Sequence, residues 1–549
     1  MARRKDAQFS RLPPEVSTRR GPPREPPVFC AAMRKTWLRV VLVVLLASLG
    51  GCAVLRALLP ERFAVNAPMT NSLFGWGGEP ATQEAVGAKL RVPAGYEIAL
   101  YASVPNARML VATPRGDLLV SVPREGKVVL LARDADEDGR PDAARDLLTG
   151  LSRPHGLALS ADGWLYVGEA SSVARVRFDA EAGEVEGAPT TIVTGLPEGG
   201  NHWSRNVGIG PDGMLYVTVG SSCNVCDEAD EKRAAMLRYA ADGGGYELFA
   251  RGLRNAVDFA WRPSTGELFA TDNGRDLLGD DFPPCELNRV VRGGDYGWPV
   301  ANGDRVPDPD FGAGQAERIA ASTSPAFAFN PHNAPLGIAF LDHPAQPDAL
   351  RGAALVALHG SWNRTRKDGY KVVSLHWNAD GSIRSEDFLT GLLLDDEAHG
   401  RPVDVVEAPD SGTIYVSDDY AGAIYAIRRA GSSGPSGGAP LTDEVEAPPA
   451  DPLAEIAADQ RESLAAVGAT AWTEHGCGAC HIAEGAPPGM VTRRLERLAT
   501  KYDVASLEAF LRTPTPPMPA PPLDDAGRRA LAVYLLGRFG SEPAALTAP

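Results

Sequence analysis

The sequence predicts an all-β six-bladed β-propeller followed by a small all-α domain, and three observations predict it. A turn rich in Gly or Asp followed by an alternating apolar strand recurs six times, the stretch 431–449 is rich in Pro and Gly, and Cys477-Gly-Ala-Cys480-His481 sets two thiols one helical turn apart beside an imidazole.

The repeats come first. They read Pro114-Arg-Gly-Asp-Leu-Leu-Val-Ser121, Ala161-Asp-Gly-Trp-Leu-Tyr-Val-Gly168, Pro211-Asp-Gly-Met-Leu-Tyr-Val-Thr218, Ser264-Thr-Gly-Glu-Leu-Phe-Ala-Thr271, the more degenerate Ala353-Ala-Leu-Val-Ala-Leu358, and Asp410-Ser-Gly-Thr-Ile-Tyr-Val-Ser417. A spacing of roughly fifty residues, where no insertion intervenes, leaves room for four strands per repeat, the blade of a propeller. A β-sandwich requires no fixed repeat and ranks below it. The larger gap between the fourth and fifth units predicts a loop elaboration over one face of the disc. The propeller is assigned to residues 88–430, and 431–450 to a flexible linker.

Composition bounds the rest. A chain of 549 residues with a formal charge of −16 is too long for one ordinary core and too acidic to be drawn to nucleic acid. Residues 1–60 form a leader: a Pro- and Arg-rich stretch, then Met33-Arg-Lys as a basic start, then an apolar run. The run reaches Leu49-Gly-Gly-Cys52, the pattern of a lipidated bacterial leader, yet apolar residues continue to Leu59, long enough for a membrane anchor. Both readings export the protein to the periplasmic face of a bacterial membrane; a buried soluble helix is the bland alternative. Of seven cysteines, Cys30 and Cys52 lie in the leader and Cys477 and Cys480 in the C-terminal motif. In an oxidising compartment Cys223-Asn-Val-Cys226 is expected to close a disulfide, leaving Cys285 free; a zinc site lacks a fourth ligand.

The bare C-x-x-C pair is more often a disulfide or half a zinc site. The adjacent His481 reverses that preference, because C-x-x-C-H is the attachment spacing of a c-type haem: Cys477 and Cys480 take the vinyl groups and His481 the iron. Met518, in Thr513-Pro-Thr-Pro-Pro-Met518, is the expected sixth ligand and Met490 its rival. A closing helix is expected over 524–539, so residues 451–541 are assigned as a monohaem cytochrome c domain.

A propeller alone implies no chemistry. Its polar connections carry Arg153-Pro-His155, Asn201-His202-Trp203, Gly252-Leu-Arg254-Asn255, Asn273-Gly274-Arg275, Pro331-His332, His359-Gly-Ser-Trp-Asn363-Arg364 and Gly400-Arg401, each at a comparable phase of its repeat, so that they converge on the axis at one face. Gly252-Leu-Arg254-Asn255, then Asn273-Gly274, then Gly293-Gly-Asp-Tyr-Gly-Trp298-Pro resemble the soluble quinoprotein sugar dehydrogenases, which use pyrroloquinoline quinone (PQQ) and calcium. Ser221-Ser-Cys223-Asn-Val-Cys226 and His359-Gly-Ser-Trp-Asn363 resemble the L-sorbosone dehydrogenase-like or pyranose dehydrogenase-like branch. The resemblance implies His202 as catalytic base, with Arg254 polarising the quinone and Asn255 beside it. It implies Arg401 on the cofactor carboxylates, Arg364 at the cofactor's other rim, and calcium on the backbone carbonyls of Gly274 and Arg275. His155, Asn201, Trp203 and His332 would line the substrate pocket, although a propeller His is as often a structural, hydrogen-bonded residue. Cys285 stands where that family has Asp, and Arg275 where its best-known members have Pro.

Asp134-Ala-Asp136-Glu-Asp138-Gly139 matches the first half of a calcium loop, but its twelfth position is Arg145, so a solvated acidic turn is an equal reading. The expectation is therefore an exported dehydrogenase. It would oxidise an aldose, ketoaldose or related aldehyde and pass electrons through its own haem to a respiratory acceptor, a cytochrome or the quinone pool. Rival readings are a calcium-dependent propeller lactonase and a non-catalytic propeller that docks a cytochrome.

Overall fold

The computed structural model describes residues 78–431, 439–440, 451–454, 456–481, 495, 498–500, 502–512, 514 and 518–540. The leader, Cys52 and Met490 lie outside them, and among the described residues no helix is long and apolar enough to cross a membrane.

Six four-stranded antiparallel sheets form the disc, with innermost strands Leu110–Ala112, Leu157–Leu159, Arg205–Ile209, Ala256–Trp261, Pro335–Phe340 and Pro402–Glu407. Each innermost strand touches the next, and Pro402–Glu407 returns to Leu110–Ala112, so the ring is closed. All six sequence repeats fall on the second strand of a blade: Leu118–Val122, Trp164–Gly168, Leu215–Val219, Leu268–Asp272, Ala354–Leu358 and Ile414–Asp418. These strands read as apolar runs because both faces are buried. In the first blade Leu118 and Val120 pack toward the sixth blade, with Tyr415 and Ile424, while Leu119 between them packs toward the second blade, with Leu165 and Val176.

The outer strand of the sixth blade is Tyr96–Ser103, from the opposite end of the chain, which pairs antiparallel with Ala423–Arg429. This ladder fastens the ring and removes two open sheet edges. Before it, the short helix Gln83–Lys89 is capped by Thr82, whose hydroxyl accepts from the Ala85 amide at 3.1 Å. The backbone of Ala439–Pro440, inside the stretch expected to be a free linker, pairs parallel with Arg91–Val92, so the chain leaving the propeller is tied to the strand that precedes its closure.

The expected elaboration lies inside the fourth blade, between its third strand Cys285–Val290 and its fourth, Phe327–Phe329. It lends Gly294–Asp295 to the third blade as a parallel fifth strand, then forms the hairpin of Ala301–Asn302 with Val306–Pro307 and the helix Ala316–Ala321.

The C-terminal part is helical, as expected. Ala458–Glu474 packs on Asp525–Phe539, which is capped by Asp524 accepting from the Gly527 amide at 2.8 Å, and Val504–Arg512 packs against Asp525–Phe539. Gly468 makes the crossing possible: a Cβ there would lie 2.2 Å from the Ala530 carbonyl oxygen and 2.6 Å from the Tyr534 Cβ. Trp472, Leu507, Leu531 and Leu535 fill the core, with Cys477, Met518 and Tyr534 packed against it.

Candidate active site

Because the innermost strands all run the same way, the turn leading into each opens on one face of the disc. Those turns carry Arg108, His155, His202, Arg254, His332 and Arg401, each within three residues of the strand that follows. The loops after the second strands, at Ser221, Asn273, His359 and Asp419, open on the same face.

His202 stands at the centre of this chemistry. Its Nδ1 lies 3.0 Å from the Ser221 carbonyl oxygen and 2.9 Å from the Ser221 Oγ, whose own proton is donated to the Cys223 carbonyl at 2.7 Å. Two acceptors therefore face Nδ1, which carries the proton and leaves the lone pair on Nε2. Burial, reinforced by the Arg254 charge and opposed by Asp276, lowers the imidazole pKa to about 3, so the ring is neutral at physiological pH. Gly220 brings His202 and Asn255 together, since a Cβ there would lie 2.5 Å from the His202 Cβ and 2.8 Å from the Asn255 Oδ1.

Arg254 is buried and bonded through every N–H. Nε donates to the Asn224 carbonyl (2.9 Å), Nη1 to the carbonyls of Asn273 and Gly274 (both 3.0 Å), and Nη2 to the Asn224 Oδ1 (2.8 Å) and the Asp276 Oδ2 (3.0 Å). Five donors meet five acceptors, so Arg254 as it stands holds no spare N–H for a ligand. Its backbone carbonyl accepts from the Ser221 amide at 2.8 Å, which ties it to the element that orients His202. Asn224 lies in the loop closed by the disulfide of Cys223 with Cys226, as expected from the sequence.

Asp276 is the acid of this region. Burial would raise its carboxyl, but His332 and Arg254 hold it below the usual range. His332 lies 3.6 Å away through Nδ1 and reaches the Gly279 carbonyl through Nε2 at 2.9 Å. Expected to line the pocket or to be a structural residue, it is buried and steadies the 276–280 loop. His155, with the same two expectations, is fully buried beside Trp203, edge-on at 5.4 Å, and Arg153 lies 4.0 Å over the same indole. Asn201 is exposed, its amide held by the Ser222 carbonyl at 2.8 Å.

The other side of the axis carries Arg401, His359, Asp419 and Arg108. Arg401 donates to the carbonyls of His359 (Nε, 3.1 Å) and Gly360 (Nη2, 3.2 Å); among the described residues its Nη1 has no protein partner. His359 Nε2 donates to the Asp419 Oδ1 at 2.9 Å, and Arg108 Nη1 to the Asp419 Oδ2 at 2.8 Å. Burial, aided by the Arg401 charge, lowers the His359 pKa to about 4, so a neutral imidazole serves an ionised Asp419. Burial would raise Asp419 too, but His359, Arg108 and Arg401 together push it well below the carboxylate range. Arg364 is spent on carbonyls, those of Asp280 (2.6 Å) and Arg366 (3.2 Å), and fastens neighbouring loops.

The side chain of Arg275 turns away to Asp308, with 2.7 Å to both oxygens, and to Asp310. Only its backbone carbonyl is available for the expected role beside that of Gly274. Cys285 is buried beneath the same loop, its sulfur facing the amides of Gly274, Ala334 and His332, and burial pushes its thiol up to about 11, which makes it inert.

Sequence reasoning missed Arg108, Asn224, Asp276 and Asp419. The phase argument reaches two of them: Arg108 precedes Leu110 by the same two residues that separate Arg254 from Ala256, and Asp419 follows its second strand just as Ser221 nearly does. Asn224 and Asp276 sit in irregular loops with no repeating position, so no pattern marks them.

Polar atoms left over show what this face can take. Among the described residues the Arg108 Nε, His155 Nδ1 and Asn273 Oδ1 are buried without a hydrogen-bond partner. Donors on the Arg108 and Arg401 side suit an anionic planar group. On the other side the Asn273 Oδ1, the Gly274 carbonyl and the ionised Asp276 form an all-oxygen set suited to a hard cation.

In the helical domain, Cys477 immediately precedes the single turn Gly478–His481, and the His481 ring stands 6.1 Å from that of Trp472. Cys477 and Met518 pack on one apolar cluster. The Cys480 side chain lies outside the described residues. This domain meets the propeller where the Tyr502 hydroxyl donates to the Asp281 Oδ2 at 2.6 Å, in the same irregular segment that carries Asp276, Gly279 and Asp280.

A family model described as TrAA12-like matches residues 90–283 and 313–430, leaving out the third strand of the fourth blade and the first part of the elaboration after it. An uncharacterized protein of Borreliella burgdorferi is 33% identical over 219 residues, 39% of this chain and 56% of that protein. A pyrroloquinoline quinone-dependent pyranose dehydrogenase of Coprinopsis cinerea is 32% identical over 136 residues, 21% of this chain and 18% of that protein. The chain thus spans about half the length of the first curated relative and less than a fifth of the second. Two solved structures share the propeller: a Trichoderma reesei carbohydrate-active enzyme of family AA12 (TM-score 0.55, 22% identity, 64% of this chain and 100% of that one) and the PQQ domain of Coprinopsis cinerea pyranose dehydrogenase (TM-score 0.55, 22% identity, 64% and 99%).

Proposed function

The chain belongs to the TrAA12-like family, and from that premise we propose that its propeller is a PQQ-dependent dehydrogenase that oxidises a sugar, or a related aldehyde, at the basic face. The observation that carries this reading is His202: a half-buried, neutral imidazole whose Nδ1 proton is fixed on Ser221, leaving Nε2 as a base. Its relative in Coprinopsis cinerea is named a pyrroloquinoline quinone-dependent pyranose dehydrogenase, and the residues of this face suit such a group.

When bound, PQQ would supply an ortho-quinone that takes up the two electrons of the substrate carbon. The chain's own residues do the rest. His202 Nε2 accepts the proton of the substrate hydroxyl as hydride leaves the carbon, which turns an aldose into a lactone, or a hydrated aldehyde into an acid. Arg401 and Arg108 hold carboxylates on their side of the axis, where a planar fork suits two oxygens. Calcium would take the carbonyls of Gly274 and Arg275 together with Asp276 and would polarise the quinone oxygens. A cation there would share the Gly274 carbonyl with Arg254 Nη1.

Haem c on Cys477 and Cys480, with His481 and Met518 on the iron, would accept the electrons singly and pass them to a respiratory cytochrome or the quinone pool. Asp281 and Tyr502 tie the helical domain to the segment that also carries Asp276, so electron transfer from the basic face to the motif at Cys477 would be intramolecular. The apolar run over 37–59 would keep the protein at the periplasmic face, through a lipid on Cys52 or as a membrane anchor.

The test is reconstitution of the full chain with PQQ and calcium, followed by a panel of aldoses and the haem absorbance. Sugar-dependent reduction that requires PQQ and is lost in His202→Gln is expected. Lactone cleavage with an unchanged haem spectrum would establish the hydrolase reading instead.

A further inference from the structure

A second oxygen-rich cluster lies far along the chain from Gly274, on the loop between the third and fourth strands of the first blade, Lys127–Leu131 and Ala144–Leu148. One carboxylate oxygen each of Asp134, Asp136 and Asp138 lie within 4.8 Å of one another. Asp136 and Asp138 are exposed, and an exposed acidic turn alone would mean little.

Asp134 is what sets this cluster apart. Its side chain is only 9% exposed, and its two oxygens are treated unequally. Oδ2 accepts from the Gly139 amide at 2.9 Å and from Arg428 Nη2 at 3.0 Å, whereas Oδ1 is buried with no hydrogen-bond partner among the described residues. A buried carboxylate oxygen left bare is costly, and a bound cation removes that penalty. Arg428 supplies one positive charge against three carboxylates.

The loop leaves room for an ion. Asp136 Oδ1 accepts from the Asp138 amide at 3.2 Å and Asp138 Oδ1 from the Arg140 amide at 2.8 Å, so each keeps its other oxygen. Gly139, at φ +89°, turns the chain back beneath the carboxylates, where an L side chain would be strained. Arg145, whose position would carry a bidentate acid in a complete calcium loop, donates to the Gly183 carbonyl and does not fill the site. The donors are all oxygen, which selects a hard cation over zinc or copper.

We propose that Asp134, Asp136 and Asp138 bind a calcium ion that braces the seam where the propeller ring closes. Arg428 belongs to Ala423–Arg429, the strand that pairs with the closing strand Tyr96–Ser103, and the Tyr101 hydroxyl of that closing strand donates to the Ala132 carbonyl at 3.3 Å. The loop therefore spans the junction of the first and sixth blades, the one joint of the disc made by opposite ends of the propeller sequence. Without a bidentate acid at Arg145, affinity falls in the range of about 10⁻⁴–10⁻³ M seen in extracellular calcium modules.

The test uses the full chain, stripped with chelator, and calcium alone as the probe. Equilibrium dialysis at millimolar calcium compares the wild type with D136N/D138N, in which both altered side chains are exposed and the apo melting temperature is first shown to match. The wild type is expected to bind one more calcium ion per chain, and 10 mM calcium to raise its Tm by roughly 2–4 °C more than that of the variant. Equal stoichiometry in the two proteins overturns the site, and an equal Tm response overturns the brace.

Discussion

The propeller and the helical domain build their candidate sites in opposite ways. On the propeller, Arg108 and Asp419 meet across 311 residues of sequence, Arg254 and Asn224 across 30, and His202 and Ser221 across 19. In the helical domain, Cys477 and His481 lie within one turn, and the scaffold need only bring two helices together behind them. The first site exists only when the ring is closed; the second needs one crossing at Gly468. Damage to the first is therefore expected to appear as lost chemistry in a folded disc, and damage to the second as lost folding in a small domain.

His202→Gln sharpens that contrast most. The amide can still donate to Ser221 but provides no base, so turnover of the PQQ- and calcium-loaded chain with an artificial electron-accepting dye is expected to fall by roughly 10²–10⁴-fold, with Tm within about 1 °C. A variant that keeps more than a tenth of wild-type turnover breaks the assignment of the base.

Gly468→Val probes the other side. The added side chain meets the Ala530 carbonyl and the Tyr534 Cβ, and overpacking of this kind costs roughly 1–3 kcal/mol. In a domain of this size that is much of the available stability. The helical domain is expected to unfold on its own, seen by limited proteolysis and loss of helical circular dichroism, while dye-linked turnover of the propeller persists. Loss of both together would show that the two parts fold as one unit.

The same contrast explains what the sequence made legible. A five-residue motif needs no fold to be read, and the six repeats were visible because each second strand is buried on both faces and so must be apolar. Residues placed by repeat phase, such as His202, Arg254 and Arg401, inherited their position from those strands. What phase cannot convey is the depth or occupancy of a side chain. His155 and His332 share the phase of His202, yet Trp203 covers one and the Gly279 carbonyl engages the other. Asn224 and Asp276 were silent because their loops are held by a disulfide and by mutual hydrogen bonds, which leave no periodic trace.

Acidity separates the two sites next, because the desolvated, neutral His202 and His359 belong to the propeller face. With folded pKa values of about 3 for His202 and about 4 for His359, the unfolded chain takes up protons from about pH 6.5 downward while the fold does not, and stability is lost as pH falls through that window. Buried Asp258 and Glu286, pushed up to about 7 by desolvation, run the opposite way: they are protonated in the fold and ionised when unfolded, so they favour the fold increasingly as pH falls from about 7 to 4. The two sets offset one another down to about pH 4, below which the histidines and the depressed carboxyls of Asp276 and Asp419 all act against the fold. The propeller Tm is therefore expected to stay nearly level from pH 7 to about 4 and to drop beneath it, as scanning calorimetry would record. Base catalysis by His202 should likewise persist well below pH 6.5.

The smallest effect tests whether the two regions work as a pair. Tyr502→Phe removes the hydroxyl that donates to Asp281 and leaves the ring in place, so the loss is one charge-assisted hydrogen bond of about 1.5–3 kcal/mol at most, part of it recovered by water. Neither site is touched directly: dye-linked turnover of the propeller and the melting of the helical domain are expected to match the wild type. Sugar-driven haem reduction alone should slow, by roughly 3–30-fold, because the domain spends less time seated on the Asp280 and Asp281 segment. Rapid-mixing absorbance at the haem band reads this directly. An unchanged rate would mean that the helical domain receives its electrons from another seat on the disc, or by collision between molecules, the latter marked by a rate that rises with protein concentration.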